Sequence, residues 1–499
     1  MDDPAAIVIG SGPNGMAAAV TLARAGVPVR VYEREATIGG GARTLELTLP
    51  GFLHDVCSAV HPLALSSGFF RRFELRRRIE LVVPEISYAQ PLDAGASGIA
   101  WRDLARTMDG LGVDGPAWGR MLEPLVRRAD EVSQFAGSNI LQVPRHPLAL
   151  AYLGLRILEQ GSIGWDARFR QEVAPALLTG VFAHPVQRMP TLSSAAAGLV
   201  LATAGHARGW PIPIGGSQSI ITAMADDLLA HGGEIVTGVD VTDIRDLPSS
   251  KAVVFDTSPR AISRIAGDRL PKRYRDRLER FRYGNAVAKV DFALSAPVPW
   301  TDYRLALAGT LHLGGTRAEL VRAEADVAAG RHPETPYVLV SQPTPHDPSR
   351  SPAGNHVLWA YTHVPAGSTA DRTEAIIRQI ERFAPGFRDT ILASASRTAV
   401  DVESHNPNYI GGDIAAGDVG LAQLIARPVL SRNPWKTPGR GIYLGSSSTP
   451  PGPGVHGLAG HYAAMSALAA EFGVTTLPYL GLKPSTGRGP VLDAHDHKR

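Results

Sequence analysis

Gly10, Gly12 and Gly15 stand in the spacing Gly-x-Gly-x-x-Gly, with Ser11, Pro13 and Asn14 between them. That spacing suits the pyrophosphate of a dinucleotide. Glycines let the backbone turn tightly against phosphate oxygens, and the helix that follows offers free N–H groups and a positive dipole end. Glu33 comes 18 residues after Gly15, where a carboxylate can accept hydrogen bonds from adenosine ribose hydroxyls. A second glycine cluster, Gly39-Gly40-Gly41-Ala42-Arg43-Thr44, follows closely. A plain NAD fold has no role for it; it suits a longer dinucleotide whose middle is covered by another backbone segment. Near the other end of the chain, Gly445-Ser446-Ser447-Ser448-Thr449 leads into Pro450-Pro451-Gly452-Pro453-Gly454-Val455-His456-Gly457.

The elements that must position these residues are legible on either side of them. Ile7 to Ile9 reads as a buried parallel strand, Met16 to Ala25 as an Ala-rich helix stopped by Gly26, and Val29 to Tyr32 as the next strand. This is the βαβ context that the glycine spacing needs. Gly110 to Gly115 matches the same pattern, but no strand precedes it, so it is a loop into a helix near Pro116. Gly452, Gly454 and Gly457 match again, between a strand at Gly441–Ser448 and a helix at Leu458–Ala470. No further strand and acid follow them, which argues against a second, NAD site.

Between the two ends, residues 95–205 read mostly as helices, including Gly115–Ala136 and His146–Gln160. The latter is apolar nearly all round and is either buried or a lid over an apolar cavity. Gly209–Gly216 marks a sharp change of composition and a return to the nucleotide fold. A helix to His231, a strand at Gly232–Thr237, a short strand at Val239–Val241 and another at Ala252–Asp256 follow. Tyr283–Phe292 alternates with period two and carries Lys289. The aromatic and basic stretch Gly68–Arg78 reads as a helix with core phenylalanines and a solvated basic face. Its alternative, contact with an anionic membrane, is disfavoured by Glu74 and Glu80.

At 499 residues the chain can bury a large core and hold more than one domain. Hydrophobic residues make up 44% and charged residues 19%, and the net charge of +3 gives no case for a nucleic-acid partner. Cys57 is the sole cysteine, which excludes a disulfide within the chain and a cysteine-pair redox centre. No leader pattern and no run of eighteen apolar residues is visible, so the expected compartment is the cytoplasm, with peripheral membrane contact compatible with an apolar substrate. His495-Asp496-His497 offers too few ligands in a short polar tail to make a metal site, and none is expected.

Taken together, these segments resemble the FAD-binding proteins of the glutathione-reductase structural group, specifically the flavin amine oxidase and phytoene desaturase superfamily. Within the phytoene desaturase-like branch, the subgroup of the pyridine nucleotide-disulfide oxidoreductase domain-containing protein 2 shares the style of His61-Pro62, Phe69-Phe70, Asn406-Pro407-Asn408 and Gly411-Gly412-Asp413. In that superfamily an arginine often directly follows the second glycine pair. Here Gly41 stands in its place and Arg43 comes two residues later. Pro450 and Pro453 replace the histidine and glycine more usual in the C-terminal signature.

The resemblance implies an α/β chain: a Rossmann-like FAD-binding domain from 1–75, 205–265 and 396–480, a mixed α+β substrate domain from 76–204 and 266–395, and a disordered tail at 481–499. It implies FAD held by Gly10, Gly12, Pro13, Asn14, Gly15, Glu33, Arg34, Gly40, Gly41, Ala42 and Arg43, by Val241 beside the adenine, and by Gly445, Ser446, Gly454 and Val455. Lys289 matches a lysine bound through water to flavin N5, and His456 lies in the flavin loop with an ordinary pKa useful for proton transfer; both are candidate catalytic groups. The expected activity is FAD-dependent removal of hydride from a small, largely apolar substrate, with oxygen or a quinone as electron acceptor. Alternatives are an amine oxidase, a redox-neutral isomerase using reduced flavin, and a non-catalytic flavoprotein that binds a partner.

Overall fold

The computed structural model describes residues 3–482, so the tail expected at 481–499 lies almost wholly outside the described residues. Five parallel strands form the first sheet, in the order Ile442–Leu444, Ala252–Phe255, Ala6–Ile9, Val29–Tyr32, Glu234–Val236. Strand residues alternate between two cores, as period two requires. Ala6, Val8, Val29 and Val31 face the helices Pro13–Arg24, Gln218–Ala230 and Leu458–Glu471. Ile7, Ile9, Val253 and Phe255 face the helix Pro259–Ala266 through Ile262 and Ile265. The α/β Rossmann-like architecture drawn from separate stretches of chain is therefore present.

Two of these helices cross at very close range. A Cβ on Gly460 would fall 1.7 Å from the Asn14 carbonyl oxygen, so only glycine lets the C-terminal helix lie against the start of the first one. The crossing brings the first and last glycine-rich segments to one place.

A seven-stranded mixed sheet forms the second layer, in the order Ile391–Arg397, Ala286–Leu294, His356–Val364, Val338–Ser341, Thr310–Leu313, Ile86–Pro91, Ser97–Trp101. Its neighbours pair antiparallel except Thr310–Leu313 with Ile86–Pro91. Leu358 and Ala360 turn to one core, while Trp359 and Tyr361 turn to the other, where the helices between Gly115 and Ala207 pack. Gly115–Ala136 is two helices, Gly115–Val126 and Ala129–Ala136, and the lysine-bearing strand is Ala286–Leu294. That strand is paired on both sides, so Lys289 is not on a sheet edge.

One expected strand does not form. Val239–Val241 is irregular, because its donors serve the end of the neighbouring strand instead: Val239 N–H donates to the Glu33 carbonyl (2.9 Å) and Gly238 N–H to that of Glu35 (3.0 Å). Phe69, Phe70 and Phe73 are buried in the nucleotide-domain core, and Arg71 and Arg77 pair outward with Asp130 and Glu74.

A buried ionic knot ties the small hairpin Thr44–Glu46/Leu53–Asp55 to the connection between the strands Val338–Ser341 and His356–Val364. Arg350 donates to Asp347 Oδ2 (2.7 Å) and to Asp55 Oδ2 (2.9 Å), and all three side chains are essentially unexposed. Asp55 also accepts from the Thr44 hydroxyl (2.7 Å) and from Ser217 N–H (2.8 Å). Asp347 accepts from Gly215 N–H (2.8 Å).

Candidate functional site

A single cavity of about 1040 Å³ runs from the carboxyl ends of the parallel strands, past the glycine turns, into the helical layer over the seven-stranded sheet. Gly10, Gly12, Pro13 and Asn14 line it at the first helix N-terminus, and Glu33, Arg34 and Val241 at its outer end. Gly40, Gly41 and Arg43 form a second wall, and Ser446, Gly454, Val455 and His456 a third. Gly15, Ala42 and Gly445 lie behind the surface. Gly15 gives its N–H to Asp256 Oδ2 (2.8 Å), while Gly445 and Ala42 pack in the layer below.

The outer end is built for polar contacts. Glu33 accepts from Ser11 N–H (3.0 Å) and the Ser11 hydroxyl on one oxygen, and from Glu35 N–H (2.9 Å) on the other. Arg34 is held against Glu35, at the rim. Arg43 is buried, donates to the Gly40 carbonyl (3.0 Å) and lies 2.9 Å from His405 Nε2; burial lowers its pKa, against the charges of Glu33 and Glu35. Buried Asn14 Oδ1, Ser66 Oγ, Thr257 Oγ1 and His61 Nδ1, on residues lining this cavity, have no partner within the protein. Buried polar atoms normally find one, so a polar ligand of dinucleotide length fits this wall.

Gly41 explains the displaced arginine. A Cβ there would come 2.1 Å from the Tyr409 hydroxyl, which leaves no room for any side chain. We expect Gly41→Ala to lower stability by about 1–3 kcal/mol, as overpacking does. Tyr409→Phe removes the blocking oxygen and leaves the ring carbon 3.3 Å away, so the double variant should recover most of the loss. Thermal melts of the four proteins form the cycle.

His456 is pinned rather than free. Its Nδ1 accepts from Leu458 N–H (3.0 Å), its Nε2 reaches the Gly452 carbonyl (3.1 Å), and burial lowers its pKa to about 4. Both nitrogens are used to hold the turn before the C-terminal helix, which leaves no lone pair for a substrate proton. Lys289 lies outside the main cavity. It lines a small second cavity behind Trp359 and Tyr361, buried and paired with Asp291.

Three further residues line the cavity that sequence reasoning did not assign to the site. Asp256 directly follows the strand Ala252–Phe255, beside the first glycine turn; burial raises its pKa to about 7, with the charge of Glu33 adding to it. Arg427 is buried beside Ser446–Ser448, donating to the carbonyls of Ser447 (3.0 Å) and Ala415 (2.9 Å). Asn408, in the turn-rich loop, accepts from Ser258 N–H through Oδ1 (2.7 Å). All three come from distant stretches of chain, and only the loop's Asn-Pro-Asn pattern marked one of them.

Asp256 sets a pH test. Its folded pKa lies above that of an unfolded aspartate, so between about pH 4 and 7 the folded chain holds more protons than the unfolded one. Its contribution to stability is therefore greatest below that window and falls as pH rises through it. We expect Asp256→Asn to remove this fall, so that the variant melts higher than the parent at pH 8 and the difference shrinks toward pH 4.

The inner arm of the cavity is different in kind. Leu153, Ile157, Leu192, Val200 and Leu201 line it, with Trp210 and the edge-to-face pair Trp359 and Tyr361, whose ring centroids are 5.1 Å apart. His184 is the imidazole of this arm, 3.0 Å through Nε2 from the buried His312; burial lowers its pKa to about 3. The carboxylates lining the cavity, Glu33, Glu35, Asp240 and Asp256, all belong to the nucleotide end.

Residues 8–73 match the NAD(P)-binding Rossmann-like domain family. The chain is 25% identical to the pyridine nucleotide-disulfide oxidoreductase domain-containing protein 2 of Rattus norvegicus, across 92% of each chain. It is 27% identical to phytoene dehydrogenase of Streptomyces griseus, across 78% of each. Among solved structures, cyclohexylamine oxidase from Brevibacterium oxydans has the same fold at a TM-score of 0.56 and 15% identity, with 95% of this chain and 100% of that one covered. Putrescine oxidase bound to putrescine matches at 0.56 and 17% identity, over 94% and 99%.

Proposed function

We propose that this chain, an oxidoreductase-superfamily relative of phytoene dehydrogenase with the flavin amine oxidase fold, is an FAD-dependent enzyme that oxidises a largely apolar substrate. The observation that carries the reading is the single cavity joining a nucleotide-shaped polar end to an apolar arm. When bound, FAD supplies a two-electron acceptor at N5, with oxygen or a quinone as the final acceptor.

The protein's part is binding and orientation. The first helix N-terminus and Gly40–Gly41 receive the pyrophosphate, Glu33 the ribose and Val241 the adenine side. Ser446, Gly454 and Val455 form the wall where small residues allow a flat ring to approach. His456 fixes the start of the helix Leu458–Glu471, whose positive end points toward that wall. Lys289 and Asp291 form a charged floor beneath Trp359, so Lys289 acts as a positioning residue in this reading.

An apolar substrate is favoured over an amine by charge. An ammonium group taken out of water needs a carboxylate beside it, and the acids of this cavity stand at the nucleotide end.

The test is an absorption spectrum of purified protein, then anaerobic reduction and exposure to air. A flavin spectrum that bleaches and recovers rapidly supports an oxidase; slow recovery supports a dehydrogenase that uses another acceptor. Absence of flavin even after FAD is added would sink the proposal.

A further inference from the structure

His184 follows the helix Val173–Phe182, lines the apolar arm of the cavity and keeps part of its surface open there. Its Nε2 stands 3.0 Å from Nε2 of His312, which is closed to solvent in the strand Thr310–Leu313. Burial holds both rings neutral. Two neutral imidazoles meeting through these nitrogens share one hydrogen. One ring donates, the other accepts, and the second nitrogen of each takes the opposite role. For His184 that second nitrogen is Nδ1, which makes no hydrogen bond among the described residues.

Gln90 decides which ring donates. Its Nε2 gives a hydrogen to the Gly315 carbonyl (2.9 Å), and its Oε1 is buried with no protein partner. His312 Nδ1 is likewise buried without one. Both atoms crowd the same point of the helix Val173–Phe182: a Cβ on Gly180 would lie 2.5 Å from Gln90 Oε1 and 2.8 Å from His312 Nδ1. Beside a buried carbonyl oxygen an N–H is favoured, whereas a bare nitrogen would set lone pair against lone pair. His312 therefore carries its hydrogen on Nδ1 and accepts through Nε2. His184 then donates through Nε2 and shows the cavity a bare Nδ1.

We propose that the arm binds an apolar molecule bearing a hydroxyl group, and that this hydroxyl donates to His184 Nδ1. The sheet supplies the return contact. Thr310 lies two residues before His312 on the same face of its strand, directly opposite Ser341, and both line the cavity. Ser341 Oγ is buried with no protein partner, so its hydrogen is available to the ligand oxygen. A ketone brings no hydrogen to Nδ1, and a hydrocarbon leaves both polar groups bare; either wastes a desolvated acceptor. An ammonium group meets no carboxylate in this arm. That the hydroxyl compound is the substrate rests on the function proposed above; its binding does not.

The experiment titrates the flavin-containing protein with decan-2-ol and with decan-2-one, which share a skeleton and differ in the O–H. Binding is followed by tryptophan fluorescence, to which Trp210 and Trp359 of the arm contribute. Decan-2-ol should bind about tenfold more tightly than decan-2-one. His184→Leu should erase that preference and leave the ketone affinity close to the parent's. His312→Phe frees His184 to turn an N–H to the cavity, so it should move the preference toward the ketone with the flavin spectrum kept. A role in packing alone would weaken both probes equally. A parent that binds the ketone as tightly as the alcohol, or binds neither, overturns the proposal. So does an alcohol preference that survives in His184→Leu or His312→Phe. An alcohol preference in protein that holds no flavin after FAD is added overturns the proposed function and leaves the hydroxyl site standing.

Discussion

Replacing Arg350 by alanine should cost about 3–5 kcal/mol of stability, more than any other single change considered. The size follows from burial: removing one partner of a buried ion pair strands the other charge without water. Here two carboxylates are stranded, since Asp55 and Asp347 both reach Arg350 and all three are closed to solvent. Asp55 keeps bonds from Thr44 and Ser217, which limits the loss but supplies no charge. Arg350→Lys should recover little, because one ammonium point charge does not reproduce the guanidinium fork. A charge-free replacement of the whole knot, Arg350→Met with Asp55→Asn and Asp347→Asn, should melt above Arg350→Ala. Thermal melts of these proteins decide the matter; an alanine variant that melts with the parent would show the knot to be incidental.

The second large effect falls on ligand retention. Glu33→Leu should reduce bound flavin by about two to three orders of magnitude in affinity, the worth of two hydrogen bonds to a charged acceptor. Because Glu33 also holds Ser11 N–H and its hydroxyl, the first glycine turn should loosen in the same variant. Glu33→Gln keeps an acceptor oxygen and should fall between leucine and the parent. The ratio of flavin to protein absorbance after gel filtration, followed by FAD titration of the stripped proteins, reads both. Equal retention by all three would remove Glu33 from the site.

Much of the nucleotide end was legible in sequence because its parts are contiguous. Strand, glycine turn, helix, strand and acid occupy residues 6–33, and each announces itself by a local rule. The period-two reading of Tyr283–Phe292 also identified the strand that carries Lys289. It could not show that Trp359 and Tyr361, from the neighbouring strand, stand between that lysine and the main cavity. Nor could it show that the nitrogens of His456 are both engaged by backbone, since a loop histidine looks the same whether pinned or free. Asp256 and Arg427 were invisible for a related reason. Their importance comes from strand pairing and chain return across hundreds of residues, and no local spacing records that.

The order of strands in the parallel sheet has a consequence for how the protein is made. Its central strand, Ala6–Ile9, leaves the ribosome first, yet its neighbour Ala252–Phe255 and the edge strand Ile442–Leu444 follow much later. Contacts of such sequence separation form slowly. The cavity therefore has no third wall until the helix Leu458–Glu471 has crossed the helix Pro13–Arg24 at Gly460. Until that crossing forms, the glycine turn at Gly10–Gly15 stands without the wall that Ser446, Gly454 and Val455 supply.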